Sequence, residues 1–336
     1  MPGRSLVMLA LLAAAPAPLP TYRVATTIAG PDGAGWDYAS VDADARQLYV
    51  AHGDAVTTVA FDGSVEATSI GAINHGHAVV PIPHSHVLLV TSGRDSTVRL
   101  IDTASGAERA RLSVGEDPDA AILDPVTGHV LVMNAKAGTI SEIDAAKAAV
   151  VRTIKVKPAL EFAAIGRGRI LFVNNEDSNE IDTVDLAAGR MRAPIALPGC
   201  EAPTGLAYDA RTDRLIAACA NGKAAIVDAT RRRLVSLVAI GGGPDAVILD
   251  ADRRLAFIPC GKDGVLEMLS LDAPGGVARI ASIRTEVGAR TGALDPKTGA
   301  IYLPTARFGP LMPGAKRAPA LPGTFHILVV RPARAA

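Results

Sequence analysis

Short apolar runs, separated by turn residues, recur along the whole chain. Residues 117–156 show the pattern most clearly. The run 120–123 is stopped by Asp-Pro and Thr-Gly, 130–133 by the polar and small residues Asn134 to Gly138, 139–143 by Asp144, and 150–156 follows. Runs of this length, rich in Val and Ile and bounded by Asp, Pro, Gly and Asn, read as strands. Four antiparallel strands in about forty residues make one sheet of a radial array.

The same unit repeats. An Asp closes the third run at Asp62, Asp102, Asp144, Asp185, Asp228 and Asp272, with gaps of 40, 42, 41, 43 and 44 residues. A turn Asp follows the first run at Asp42, Asp124, Asp209, Asp250 and Asp295, with Ile82 and Gly166 at that point in units two and four. Seven such units predict an all-β, seven-bladed β-propeller with four-stranded antiparallel blades. A leucine-rich array would repeat every 20–29 residues, and a helical one would show 3.6-residue periodicity. Residues 22–28 form a strand with no unit of their own, and the seventh unit lacks a fourth strand. The N-terminal strand is therefore expected to complete the last blade, which removes two open sheet edges. Residues 21–336 form one domain on this reading.

The leader, residues 1–20, changes the picture of where the protein works. Arg4 precedes an apolar stretch at 6–15, too short to span a bilayer, and small residues follow. This reads as a signal peptide, with Pro16 and Pro18 leaving the cleavage point open. No other run is long enough to span, so a periplasmic or secreted protein is expected, and a monomer. Lys plus Arg and Asp plus Glu both number 34, and aromatics make up 4% of the residues. Zero formal charge and few stacking platforms disfavour a nucleic-acid partner. A small-molecule or protein ligand fits better.

In a four-stranded blade the first strand starts, and the second ends, on the same face of the ring. Counting back five residues from each turn position reaches Asp37, His77, Asp119, Glu161, Thr204, Asp245 and Arg290. Every one is polar and begins an otherwise apolar strand. They are expected around the mouth of the central channel, where Asp37, Asp119, Glu161 and Asp245 against Arg290 leave a formal excess of three negative charges. Such a ring attracts cations: a divalent metal, an amine, or a Lys or Arg side chain of a partner. The plain alternative is a hydrated rim, with Arg290 in a structural ion pair. A second ring is read at the ends of the second strands: His52, Ser92, Asn134, Asn174, Cys219, Cys260 and Thr305. His52, His75 and His77 offer imidazoles for a divalent cation, although the spacing is loose. Trp36 is expected to pack between blades, and His84 and His86 to lie at the opposite face. The insertion at 307–324 is expected to fold over one face. No nucleophile elbow, HExxH, P-loop or dinucleotide fingerprint is present.

Of the three cysteines, Cys200 lies in the loop leading into blade five and Cys219 ends its second strand, so the two share a face. A Cys200–Cys219 disulfide with Cys260 free is expected; a cysteine metal site is the alternative.

The runs KPALEFAAIGRGRILFVNNEDSNEIDTVD (157–185), GCEAPTGLAYDARTDRLIAACANGKAAIVDA (199–229) and GARTGALDPKTGAIYLPTARFGP (288–310) resemble the YVTN-repeat, YncE-like propeller proteins of bacteria. The likeness extends over everything after the leader. It implies an exported seven-bladed propeller and no defined reaction. One relative in that family binds single-stranded DNA. The expected function is a binding or scaffold module acting through the channel mouth. The rival readings are a metal-assisted hydrolase, lyase or isomerase at the same mouth, and single-stranded DNA binding.

Overall fold

A computed structural model describes residues 20–33, 35–61, 67–311, 314 and 318–333. Residues 1–19 of the leader, and Asp62, lie outside the described residues. Among the described residues, 28 strands form seven four-stranded antiparallel sheets. Two short 3-10 turns, Gly93–Asp95 and Arg167–Arg169, are the helical pieces. No described helix is long and apolar enough to cross a membrane.

Blade three shows how the sequence builds each sheet. Its strands Pro118–Leu123, Val130–Asn134, Thr139–Asp144 and Ala149–Lys155 pair in chain order. The second and third strands lie between neighbouring blades and are covered on both faces, so Val130, Leu131, Val132 and Met133 are all fully buried. That is why they read as continuous apolar runs rather than alternating ones. The outer strand faces water and is mostly exposed.

The recurring Asp is a turn device. Asp124, Asp209 and Asp295 each accept a backbone N–H two residues on and a Thr hydroxyl three residues on. This is the local side-chain turn that suits Asp at such corners. The same carboxylates also join blades. Arg254 of blade six reaches Asp209 of blade five with both guanidinium nitrogens, at 2.7 and 2.6 Å, and these hydrogen bonds hold the Asp209 carboxyl down to about 2. Arg169 makes the equivalent contact to Asp124, at 2.5 Å.

The ring closes as expected. Strand Tyr22–Ala29 pairs antiparallel with His326–Pro332, so that Tyr22 faces Pro332 and Ala29 faces His326. It is the outer strand of blade seven. Tyr22 packs edge-on against Phe257 of blade six at 4.8 Å, while Ile28 joins the core between blades seven and one. Burying each of these side chains contributes roughly 2 kcal/mol. Cys200 and Cys219 form the disulfide, and Cys260 is a buried free thiol whose pKa burial pushes up to about 12.

Deleting residues 22–28 reopens blade seven. The thermal unfolding midpoint should fall by roughly 10 °C, corresponding to several kcal/mol in a chain of this size. A midpoint equal to that of the full protein, read by circular dichroism, would refute closure by this strand.

Candidate functional site

One backbone device, repeated in every blade, aims the mouth residues. The residue two positions before each has positive φ: Gly35 (81°), His75 (64°), Asp117 (58°), Ala159 (65°), Ala202 (43°), Gly243 (67°) and Gly288 (92°). This left-handed step costs about 1 kcal/mol at a residue other than glycine. In blades two to five the next residue pairs with the end of the second strand, and the register then shifts. The pairs are Gly76 with Ser92, Pro118 with Asn134, Leu160 with Asn175 and Pro203 with Cys219; pairing resumes at Val79, Ala121, Ala163 and Leu206. His77, Asp119, Glu161 and Thr204 fall in the gap. A bulge of this kind re-aims a side chain away from the sheet.

All seven expected mouth residues line one cavity of about 490 Å³. Asp37 accepts a hydrogen bond from His77 Nδ1 at 2.7 Å, and Asp119 Oδ1 lies 3.6 Å from the same nitrogen. The His77 ring is packed so closely on Gly93 that a Cβ there would sit 2.7 Å from Nε2. Arg290 donates from Nε to Asp245 at 2.7 Å and from Nη2 to the Trp36 carbonyl at 3.1 Å. Thr204 spends its hydroxyl on the Pro244 carbonyl, at 3.0 Å, and so ties blade five to blade six.

The charges sort into satisfied and unsatisfied groups. His77 and Arg290 each hold one carboxylate, on Asp37 and Asp245. Burial works against a charged His77, but the Asp37 hydrogen bond and the charge of Asp119 outweigh it and lift the imidazole to about 9. Asp119 has only the longer 3.6 Å contact with the His77 that Asp37 already holds, and Glu161 makes no ion pair among the described residues. Asp119 Oδ1 is buried without a hydrogen bond. Burial first, and then the charge of Asp37, raise Asp119 to about 8; burial and the charge of Asp119 push Glu161 well above the usual carboxylate range. Desolvation and the mutual repulsion of the acids thus oppose the full formal excess of three negative charges in the mouth.

The remaining expected residues are placed differently. His52 is buried; Nδ1 lies 2.9 Å from Thr57 Oγ1 and the ring stacks on Phe325 at 3.9 Å. It lies outside the cavity, so the expected trio of His52, His75 and His77 does not assemble. A different group does: Asp37, His77 and Asp119 each offer a donor atom, all within 4.8 Å of one another. His75 meets His77 edge-on at 4.8 Å and also lines the cavity; burial, together with the charges of His77 and Arg94, lowers its pKa. Asn134 is fully buried and donates to Thr139 and Ser141 within its own blade. The register makes Asn175, not Asn174, its counterpart in blade four. Asn174 points the other way and donates to the Thr204 and Gly205 carbonyls of blade five.

Three contributors are new to the site. Tyr38, directly after Asp37, meets Phe162 of blade four at 5.1 Å. Blades one and four are not neighbours, so the two rings meet across the channel. Its sequence signal was a large aromatic where four other blades carry Ala78, Ala120, Gly205 and Ala246. Glu176, from the blade-four hairpin, also lines the cavity. After Thr305, Phe308 is bridged antiparallel to Ala320, and Phe308, Ala318 and Ala320 lie on the cavity wall with Trp36. Trp36 itself packs against Phe308 at 6.0 Å and Phe325 at 5.6 Å.

No family model matches the sequence, and a search of curated proteins finds no relative. Solved structures do share the fold. A chain of the hydrazine synthase of Kuenenia stuttgartiensis superposes with a TM-score of 0.70 at 15% identity, over 82% of this chain and 93% of that one. A chain in a crystal structure of the mitotic checkpoint complex gives a TM-score of 0.74 at 14% identity, over 97% of this chain and 98% of that one. At such identities the likeness is one of fold alone.

The raised pKa values of His77 and Asp119 make stability depend on pH. The His77 contribution is complete below about 6.5, the value of the free side chain, and is lost as pH rises through about 9. That of Asp119 is complete below about 4 and is lost through about 8. Between pH 7 and pH 9 the folded state holds more protons at these groups than the unfolded chain, so the unfolding midpoint should fall. Asp119→Asn removes one titration and weakens the other, and should flatten the slope. Parallel slopes in scanning calorimetry would refute this assignment.

Proposed function

We propose that this chain is an exported propeller of the YVTN-repeat type that binds a positively charged ligand in its channel mouth, as a binding or scaffold module rather than a catalyst. The observation that carries this reading is the placement of Asp119 and Glu161. Both carboxyls line the cavity; Asp119 Oδ1 is buried without a hydrogen bond and shares His77 with Asp37 at the longer distance of 3.6 Å, and Glu161 makes no ion pair among the described residues, whereas Asp37 and Asp245 are closely paired. A cation entering the cavity would supply positive charge to both. Export is supported by the signal-like leader and by the Cys200–Cys219 disulfide, a bond typical of oxidising compartments.

A metal-assisted hydrolase, lyase or isomerase is the second reading. It is favoured by the donor group of Asp37, His77 and Asp119, one imidazole and two carboxylates of the kind a divalent ion takes. On that reading a chelator abolishes both metal retention and turnover, whereas a binding module shows no turnover with or without metal.

The test is titration calorimetry of the protein against Ca²⁺, Zn²⁺ and polyamines, beside the double variant Asp119→Asn, Asp245→Asn. At least one cation should bind the wild type about tenfold or more tightly than the variant, the usual consequence of removing charged partners from a partly buried site. Equal binding by the two proteins, or none by either, would leave the mouth a hydrated rim.

A further inference from the structure

The cavity has two chemically different sides, and the order of the blades fixes where they lie. Blades seven and one supply Trp36, Phe308, Ala318 and Ala320, an apolar patch in which Phe308 is partly exposed and Trp36 is buried behind it. Across the ring, blades three and four supply Asp119, whose buried Oδ1 has no hydrogen bond and only a 3.6 Å contact with His77, and Glu161, which makes no ion pair among the described residues. His77 of blade two stands between the two sides and is held by Asp37, while Arg290 of blade seven lies beside Trp36 and is held by Asp245. A volume of about 490 Å³ is far more than a bare ion needs, and falls within the range of roughly 300–1,000 Å³ found for organic ligand sites.

We propose that the mouth takes an organic ammonium ion, with its charged end at Asp119 and Glu161 and its apolar body on the Trp36–Phe308 wall. This deepens the cationic-ligand reading and rests on it. An ammonium group donates hydrogen bonds to both carboxyls and brings Glu161 a positive charge. The apolar body covers the partly exposed Phe308 ring, where an ammonium also gains a cation–π contact. A bare divalent ion would leave the wall unused. A carboxylate would face Asp119 and Glu161 and find Arg290 already held by Asp245.

The experiment titrates the intact protein with phenethylammonium, methylammonium, phenylacetate, Ca²⁺ and Zn²⁺. Phenethylammonium should bind at least about tenfold more tightly than methylammonium, the effect expected from burying a phenyl ring. Phenylacetate should not bind. Phe308→Ala should shrink the difference between the two amines. Equal affinity of the two amines overturns the proposal, as does binding of phenylacetate as tight as that of phenethylammonium. Metal binding without amine binding also overturns it but leaves the cationic-site reading standing; silence from every cation removes both. The comparison of ligands on the wild type needs no variant, so it decides the matter even if Phe308→Ala fails to fold.

Discussion

The structure depends on one pairing, that of strand Tyr22–Ala29 with His326–Pro332. Every other blade is built from consecutive strands. The seventh borrows its outer strand from the opposite end of the chain, and only then does each inner strand have a blade on either side of it. The burial of Ile301, Leu303, Leu328 and Val330 against Phe257 and Leu266, and of Val50 and Val59 against Ile327 and Val329, relies on that ring being complete. Closure also fixes the mouth, because a residue from each blade can converge on one point only if the circle does not spread.

Much of this was legible from one periodicity. The turn Asp is visible because its carboxylate satisfies backbone N–H groups at a corner, a local requirement that recurs wherever the corner does. Counting back from it reached the same structural position in all seven blades, even where Ile82 and Gly166 replace the Asp. The count from the second strand was less secure. Blade four placed Asn174 where Asn175 belongs, since its Asp-Pro turn is replaced by the 3-10 segment Arg167–Arg169 and no marker fixes the register there. His52 ends its strand as expected but turns under Phe325, a partner 273 positions away in the chain. Contacts of that separation leave no local trace in the sequence.

The charge of the mouth was only partly legible. A formal sum treats each carboxyl as if it were in water. Here the blades displace water and the acids face one another, which pushes Asp119 and Glu161 up from the usual carboxylate range. That shift belongs to the arrangement and not to any one residue. The bridge between Phe308 and Ala320 adds a second property of this kind, an apolar side on a rim that otherwise reads as polar.

The contact between Tyr38 and Phe162 has a consequence for traffic through the ring. Two aromatic side chains from blades one and four occupy the channel beneath the mouth, and the Tyr38 side chain is itself almost wholly buried. The two rings narrow the channel at that level, where the other blades bring mostly Ala or Gly, so the bore is tightest along the line from blade one to blade four. A molecule seated in the mouth therefore meets aromatic carbon below it as well as carboxylates beside it.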